Sequence, residues 1–160
     1  MPVNRLKQLL DSNDVKYVTI QHSPAYTAME VAEESHIKGR IMAKTVMFKA
    51  DDELIMCVVP AGYWVDCQNL KATTGANYVE LARESVFATH FPDCEVGAMP
   101  PFGNLVGMKN YMDERLLEND SIAFNAGTHS LAISMDLGNY IEMANPVIAK
   151  ISTMEKHKAA

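Results

Sequence analysis

Two adjacent apolar segments, residues 43–50 and 54–60, constrain the fold of this chain more than any other feature of its sequence. Only Asp51, Asp52 and Glu53 separate them, which is a connection typical of a β-hairpin. The second segment contains the run LIMCVV, which is apolar at every position and does not alternate. A strand of that kind is covered on both faces. The sequence therefore predicts a hairpin whose second strand lies at the centre of a sheet, with packing layers on both sides.

Helical and strand patterns follow one another in mixed order around this hairpin. Thr27 and Glu30 form a capping-box pattern, which predicts a helix from residue 28 to about residue 37. Other helices are predicted over residues 3–12, 65–74, 78–89 and 137–144, and other strands over residues 16–21, 105–112, 122–125, 131–134 and 147–151. We predict an α/β fold with one domain, residues 1–153, in which helices flank a mixed, barrel-like β-sheet. Residues 154–160 are predicted to be a flexible tail.

The composition is that of an ordinary globular protein, and it narrows the classes of function. Of the 160 residues, 48% are apolar and 21% charged, and the net charge is −6. An extended nucleic-acid-binding surface is usually basic and is therefore disfavoured, whereas a local contact through Lys38, Arg40 and Lys44 is compatible with this charge. No apolar run is long enough to span a membrane, and the first residues lack a signal-peptide core. Three cysteines without a C-x-x-C pair favour reduced thiols and a cytoplasmic location.

Standard catalytic motifs are absent from the sequence. There is no G-x-S-x-G, G-x-x-x-x-G-K-[ST], H-E-x-x-H or G-x-G-x-x-G pattern. The five histidines form no close pair at ligand spacing, so we expect neither a metal nor a cofactor. A cysteine nucleophile stays open, because Cys94 lies near His90 in sequence. The adjacent Asp93 disfavours the thiolate form of Cys94, which makes this the weaker hypothesis.

The remaining candidates for chemistry are a loop, a lysine on a strand, a turn and an aspartate. Residues 97–103 (GAMPPFG) contain two glycines and two prolines but no charge, so backbone N–H groups there can approach a ligand closely. Lys44 heads an apolar strand face, so its ammonium must reach the strand end or meet an anion. Residues 127–129 (GTH) form a turn between two predicted strands. Asp113 directly follows the strand predicted over residues 105–112. Such groups can stabilise an oxyanion and bind a phosphate without a covalent nucleophile.

The sequence resembles the YbaK/prolyl-tRNA synthetase-associated domain family, the editing aminoacyl-tRNA deacylases, from about residue 22 to residue 151. Each matching segment alone is only weakly specific for the family. The order and spacing of all the segments together are fairly specific for it. The segments are residues 22–24 with Thr27, 43–46, 58–61 with 65–66, 97–103, Asp113 and 126–130. Ala98 departs from the pattern, because the family often has a second glycine at that position. This departure leaves the identity of the substrate open.

The resemblance implies hydrolysis of the ester that joins a wrong, small amino acid to the 3′ end of a tRNA. Its implied catalytic residues are Lys44, which anchors the terminal phosphate or the ester region, His129, which positions the acyl group or water, and Gly97, whose loop orients the water. For His129, a role as a turn residue stays as open as the site role that the resemblance implies. For Asp113, a helix-capping role is favoured over a catalytic one. The implied partners are the acceptor end of tRNA and an aminoacyl-tRNA synthetase. The implied substrate-binding residues are Val46, Ala98, Met99, Pro100, Pro101, Asp113, Gly127 and Thr128.

Three hypotheses about function follow from these observations. The first is a trans-acting deacylase, the second a non-catalytic module that binds an aminoacyl or nucleotide end or regulates a partner, and the third a thiol hydrolase that uses Cys94. The acyl group is not determined, because one methylene changes discrimination by only about 1–3 kcal/mol in an apolar pocket. Single changes at Val46, Met99 or Phe102 can therefore exchange one acyl group for another.

Overall fold

The computed structural model of the protein describes residues 2–23, 27–34, 38–92, 94–95 and 97–154. The predicted tail lies outside the described residues from residue 155 onward. The helices are α1 (Pro2–Ser12), α2 (Ala28–Glu34), α3 (Cys67–Thr74), α4 (Glu84–Phe87) and α5 (Leu137–Ala144). The strands are β1 (Tyr17–Gln21), β2 (Ala43–Ala50), β3 (Glu53–Pro60), β4 (Trp64–Val65), β5 (Val79–Leu81), β6 (Lys109–Asp113), β7 (Ser121–Asn125), β8 (Leu131–Asp136), β9 (Val147–Ala149) and β10 (Ser152–Thr153). Short 3₁₀ turns lie at Ala88–His90, Gly103–Val106 and Glu114–Glu118.

The predicted mixed α/β domain is confirmed, with its strands distributed over separate sheets. In the described part of the chain, a five-stranded sheet has the order β5-β2-β3-β6-β9, in which β3, β6 and β9 are parallel and the other pairs antiparallel. A second sheet has the antiparallel order β1-β8-β7, and β10 pairs with β4. A single bridge between Met42 and Ala123 links the two larger sheets. These described strands do not close into one barrel.

The central strand β3 is covered on both faces, as its apolar sequence predicts. Met56 and Val58 belong to the main core cluster, together with Leu6 of α1 and Phe124 of β7. Alternate residues of β3 point to a second cluster that contains Leu70 of α3. Because side chains alternate along a strand, one continuous apolar run supplies both layers. Within the described ranges, no helix combines the length and the apolar character that a membrane span requires.

Side-chain caps set the ends of several helices where the sequence predicts them. The Glu30 N–H donates to Thr27 Oγ1 at 3.1 Å at the start of α2; the predicted continuation of this helix through residues 35–37 lies outside the described residues. The Asn139 N–H donates to Asp136 Oδ1 at 2.9 Å at the start of α5. These bonds satisfy N–H groups that have no partner inside a helix.

The prediction of one helix over residues 78–89 is wrong. Residues Val79–Leu81 form an edge strand, paired with β2, and α4 begins only at Glu84. Asp51, in the turn between β2 and β3, accepts hydrogen bonds from the N–H groups of Asn77 and Tyr78 at 3.4 and 3.1 Å. These hydrogen bonds join residues that are far apart in sequence and hold the backbone of residues 77–81 beside β2. The strand pairing therefore overrides the local helical pattern.

Two other predicted boundaries are corrected. The strand predicted over residues 105–112 is shorter, because a 3₁₀ turn ends at Gly107, whose φ is +71°. Glycine adopts this left-handed conformation readily, so Gly107 ends the turn before the strand begins. The helix predicted from residue 65 begins at Cys67, since the Asp66 carboxylate caps it. Residues 64 and 65 are therefore available to pair with β10.

Candidate active site

A cavity of about 500 Å³ lies between α2, the start of β2 and the segment that follows β3. We call it the Lys44 cavity. Its size is within the range of small-molecule sites. A larger, open depression of about 1190 Å³ beside α1 and β1 contains none of the predicted site residues. The lining of the Lys44 cavity is Thr27, Ala28, Met29, Lys44, Thr45, Ala61, Gly62, Trp64, Gly97 and Asn125.

Lys44 supplies the charged side chain of this lining. Its Nζ lies 4.4 Å from the centroid of the Trp64 ring, a cation–π contact. Burial lowers the pKa of the Lys44 ammonium below its ordinary value of 10.5, because a partly desolvated cation is less stable than a hydrated one. Among the described residues that line the cavity, none is a carboxylate. An anionic group of a ligand would therefore stabilise the charged form of Lys44.

The loop that contains Gly97 is tied to the turn after β7, as the sequence hypothesis requires. The N–H of Glu95 donates to the Gly127 carbonyl, and the N–H of Gly127 donates to the Ala98 carbonyl, both at 2.8 Å. The His129 N–H donates to Glu95 Oε1 at 3.2 Å. These three bonds hold the loop and the turn together. Gly97 and Gly127 both have positive φ, +84° and +98°.

His129 lies behind Gly97 and does not line the cavity. A Cβ placed on Gly97 would be 3.5 Å from His129 Cε1, so the imidazole packs directly against the loop backbone. The side chain is buried, with 7% of its surface exposed. Next to it, Thr128 Oγ1 accepts from the Ser130 N–H at 3.4 Å inside the turn. The structure thus places His129 where it supports Gly97, and Thr128 where it shapes the turn.

The prolines of the loop are buried and hold its far end. The Pro101 carbonyl accepts hydrogen bonds from the Tyr140 hydroxyl at 2.8 Å and from Asn110 Nδ2 at 2.9 Å. Phe102 packs edge-on against Tyr140, with ring centroids 5.2 Å apart. Ala98, Pro100 and Pro101 are all buried and do not line the cavity. A buried polar network therefore anchors the loop to α5.

A smaller pocket of about 220 Å³ adjoins the Lys44 cavity and shares Thr45 and Gly97 with it. We call it the side pocket. Val46 and Met99, two of the predicted substrate-binding residues, line it. Its wall is mainly apolar and includes Phe87 of α4, and the exposed Glu84 is the charged residue of its described lining. The structure thus brings Lys44 and Gly97 into one cavity and places Val46 and Met99 next to it.

Comparison with known proteins assigns the chain to a family. Residues 22–142 match the model of the aminoacyl-tRNA editing domain. The chain belongs to this family. A relative, the multifunctional Ser/Thr-tRNA deacylase ProXp-y of Escherichia coli K12, is 25% identical over 150 residues, which cover 89% of this chain and 87% of that protein. The editing of aminoacyl-tRNA is therefore the class of activity to which this domain belongs.

Solved structures share the fold of this editing domain. A provisionally assigned trans-editing enzyme for prolyl tRNA synthetase superposes with a TM-score of 0.80 and 18% identity, over 95% of this chain and 97% of that one. A protein described only as hypothetical superposes with a TM-score of 0.83 and 18% identity, over 93% of this chain and 99% of that one. At these identities the likeness shows the fold.

Asp113 of the editing domain lies outside both pockets, in a fully buried position. Its carboxylate accepts from the N–H groups of Ile151 and Ser152 at 2.9 and 3.1 Å, from the Ser152 hydroxyl at 2.7 Å and from the Arg115 N–H at 3.3 Å. These partners occupy both oxygens. The structure thus gives Asp113 the capping role that the residues favour, and it does not bring Asp113 to the substrate-binding set.

Among the described lining residues, only Lys44 and Gly97 were predicted site residues. Besides Thr27, the polar or aromatic side chains that sequence reasoning missed are Thr45, Trp64 and Asn125. Thr45 follows Lys44 on β2, and the two-residue period places it on the other strand face, although both border the cavity. Trp64 is the single tryptophan of the chain. The signal for Asn125 was present, because it is an amide at the end of an apolar strand, directly before the Ala126-Gly127 turn.

Among the residues that the structure describes, no cysteine lines the cavity. Cys57 is buried inside β3, and burial together with the neighbouring Cys67 raises the pKa of its thiol. Cys94 packs against the main core and does not line the cavity. Across the described ranges, no three His, Cys, Asp or Glu side chains are grouped closely enough to hold a metal ion. The arrangement is suited to binding and electrostatic stabilisation.

Proposed function

We propose that this editing domain is a trans-acting aminoacyl-tRNA deacylase that hydrolyses the ester between a wrong, small amino acid and the terminal ribose of a tRNA. The observation that carries the proposal is that one cavity contains the Lys44 ammonium and the Gly97 backbone, next to a pocket of acyl size. Membership of the editing family and the likeness to ProXp-y support the class of substrate.

Lys44 binds the anionic part of the substrate in this proposal. The terminal nucleotide of a tRNA carries a phosphate, and a lysine ammonium is a strong point-charge partner for phosphate. The lowered pKa of Lys44 means that its charge lacks full solvation, so a phosphate would restore part of the lost stabilisation. Trp64 beneath the ammonium limits its positions. Lys44 thus fixes the end of the tRNA relative to the loop.

Gly97 stabilises the transition state in this proposal. A water oxygen forms a bond to the ester carbonyl carbon, and the carbonyl oxygen gains negative charge. The Gly97 N–H would donate to that oxyanion, as a preorganised donor does in acyl transfer, whereas the Ala98 N–H of the same loop already donates to the Glu95 carbonyl. The bond from this carbon to the ribose oxygen then breaks, and the ribose oxygen takes the proton released by the water. An ester is already activated, so less barrier has to be removed than for an amide.

The water is oriented by the loop and by the free hydroxyl of the terminal ribose. No protein base is required, which agrees with the described lining, where Lys44 is the titratable side chain. His129 acts through Gly97, because its ring packs against that backbone, with Cε1 3.5 Å from the point that a Cβ on Gly97 would occupy. It is therefore a positioning residue in this proposal, together with the Gly127-Thr128 turn.

The side pocket selects the acyl group by size. Its volume of about 220 Å³ and its Val46 and Met99 wall suit a small, largely apolar side chain. Thr45 adds one hydroxyl at the boundary between the two pockets. Since one methylene is worth about 1–3 kcal/mol, substitution of Val46 or Met99 would change the preferred amino acid more than the chemistry.

The net charge of −6 limits the contact with tRNA to its acceptor end. Lys38 and Arg40 line a separate depression near the start of β2, but Glu118 and Asp120 line it too and balance their charge, so this depression adds no phosphate contact to the proposal. An aminoacyl-tRNA synthetase would supply the remaining recognition of the tRNA. The single-stranded acceptor end suits a site with an aromatic ring and a cation, such as Trp64 and Lys44.

The test is a panel of tRNAs mischarged with alanine, serine, threonine or cysteine, assayed for released amino acid beside a deacylase of known activity. We expect release from at least one member of the panel. If none is hydrolysed while the reference enzyme works, the proposal is wrong. Saturable binding of a stable aminoacyl-adenosine without turnover would instead indicate the non-catalytic binding module.

A further inference from the structure

Asn125, the last residue of β7, faces the Lys44 cavity from the side opposite the main core. Alternation along the strand directs Ile122 and Phe124 into the main core cluster and Ala123 into the cluster beneath α2. Asn125 follows the same period as Ala123 and reaches the cavity lining. Only 8% of its surface is exposed, and its Oδ1 has no hydrogen-bond partner among the described residues.

An unpartnered acceptor in such a position is unusual, because the large majority of buried polar atoms in proteins are hydrogen-bonded. The Oδ1 of Asn110 is also buried without a partner, but its Nδ2 donates to the Pro101 carbonyl and Asn110 lines neither pocket, so Asn125 differs from it by bordering the cavity. The Thr27 hydroxyl, which also lines the cavity, already accepts from the Glu30 N–H. The Asn125 Oδ1 is itself enclosed, and a half-turn of the amide group, which exchanges Oδ1 and Nδ2, would present the carbonyl to a ligand.

The charge of the lining indicates which donor this acceptor suits. Beside the ester carbonyl, an aminoacyl ester carries an α-amino group, which donates hydrogen bonds whether it is charged or neutral. Among the described residues, the lining of the Lys44 cavity contains the Lys44 ammonium and no carboxylate, and the adjoining side pocket adds the exposed Glu84. A nearby cation disfavours the protonated form of the α-amino group. A neutral amide carbonyl accepts from either form, so it suits this environment.

We propose that Asn125 is a specificity-determining residue, whose side-chain carbonyl accepts a hydrogen bond from the α-amino group of the bound acyl chain. It would make the cavity selective for α-amino acyl groups over acyl groups that lack the amine. This inference rests on the proposed function of the cavity as an aminoacyl ester site. It adds the recognition of the one group that all aminoacyl esters share.

The test measures binding, so that it does not depend on turnover. The probes are 3′-alanylamino-3′-deoxyadenosine and its desamino counterpart, 3′-propionylamino-3′-deoxyadenosine, titrated by calorimetry. We expect the unmodified protein to bind the amine-containing probe about tenfold more tightly or better, as for one hydrogen bond to a charged or strongly polar donor. Asn125→Leu, which removes the acceptor at similar volume, should reduce the preference to within about threefold.

Asn125→Asp keeps an acceptor and should retain the preference, whereas Asn125→Ala should lose it. Asn77→Leu is the matched control, because Asn77 is exposed and outside both pockets. Thermal melting by circular dichroism shows which variants are folded, and the alanine and aspartate variants decide the question if the leucine variant is not. No preference in the unmodified protein, binding of neither probe, or a preference that survives in the folded leucine or alanine variant would overturn the inference.

Turnover of alanyl-tRNA and propionyl-tRNA is measured separately. Retained preference for the amine-containing probe without hydrolysis of any mischarged tRNA would refute the proposed deacylase and leave the role of Asn125 standing. Hydrolysis of both esters at equal rates, with the rates unchanged by Asn125→Leu, would refute the role of Asn125 and leave the deacylase standing.

Discussion

Lys44→Met separates the function of Lys44 from its structural contribution. Methionine keeps a long, unbranched side chain over Trp64 but removes the charge that lies 4.4 Å from the ring centroid. If Lys44 donates one charge-assisted hydrogen bond to the substrate, its loss costs about 1.5–3 kcal/mol. With about 1.4 kcal/mol for each factor of ten, kcat/KM should fall by roughly 10- to 150-fold.

The stability of the same variant should change little, because two effects oppose each other. The cation–π contact with Trp64 is lost, which costs about 0.5–1 kcal/mol. The partly buried ammonium, whose pKa burial lowers, is also removed, and this relieves a desolvation penalty. We therefore expect a net change within about 1 kcal/mol, or a shift in Tm below about 4 °C for a chain of this size.

The assay measures released amino acid in single-turnover reactions, using the mischarged tRNA that the unmodified protein cleaves fastest. Circular dichroism melting gives the stability of each variant. Lys49→Met is the matched control, since Lys49 lies on β2 five residues further along and outside both pockets. The control should keep the activity of the unmodified protein.

Three results would refute this reasoning. Activity of Lys44→Met within about threefold of the unmodified protein would show that the charge does not contact the substrate in the transition state. A loss of activity that accompanies a large loss of stability would show that Lys44 mainly supports the fold. Equal losses in Lys44→Met and Lys49→Met would indicate a general electrostatic effect on tRNA binding.

Further predictions test the pH dependence and the anchoring of the site. Because burial lowers the pKa of Lys44, the enzyme-dependent rate, corrected for spontaneous ester hydrolysis, should fall at a pH below 10.5, and Lys44→Arg should move this fall to higher pH. In the same pH range the unfolded chain binds the Lys44 proton more tightly, so the contribution of this residue to stability rises with pH in thermal melts. Gly97→Ala, at φ +84°, should cost about 1–2 kcal/mol and lower kcat. Asp113→Asn, which sets an amide against buried donors, should cost about 2–5 kcal/mol in denaturant unfolding. Tyr140→Phe should cost about 1 kcal/mol and lower kcat more than KM changes.

Much of the fold could be predicted because local and global signals agree. The hairpin of β2 and β3, the cap of α5 at Asp136 and the turn after β7 each depend on residues close in sequence. Residues Val79–Leu81 could not be assigned in this way, since their pairing with β2 and the Asp51 bonds join segments about 30 residues apart.

The candidate site was predicted in part for a related reason. Lys44 and Gly97 have residue types that indicate chemistry by themselves, and the structure brings them together. A tryptophan or an asparagine does not by itself indicate a functional site in a sequence. Trp64 and Asn125 belong to the candidate site only because the fold places β4 and the end of β7 at the cavity. Asp113 shows the converse, because an aspartate after a strand resembles a site residue until its four hydrogen-bond donors are known.

The position of Asp113 nevertheless connects it to the cavity through the fold. Its carboxylate holds the backbone of Ser152, Ser152 pairs with Val65 in the β10–β4 sheet, and Val65 adjoins Trp64, which lies beneath the Lys44 ammonium. On the other wall, the Tyr140 hydroxyl holds the Pro101 end of the Gly97 loop. Each wall of the cavity is thus fixed by a buried polar anchor that does not touch it. Because packed interiors transmit small displacements, substitutions at these anchors should shift Lys44 and Gly97 relative to each other and reduce turnover without removing any lining residue.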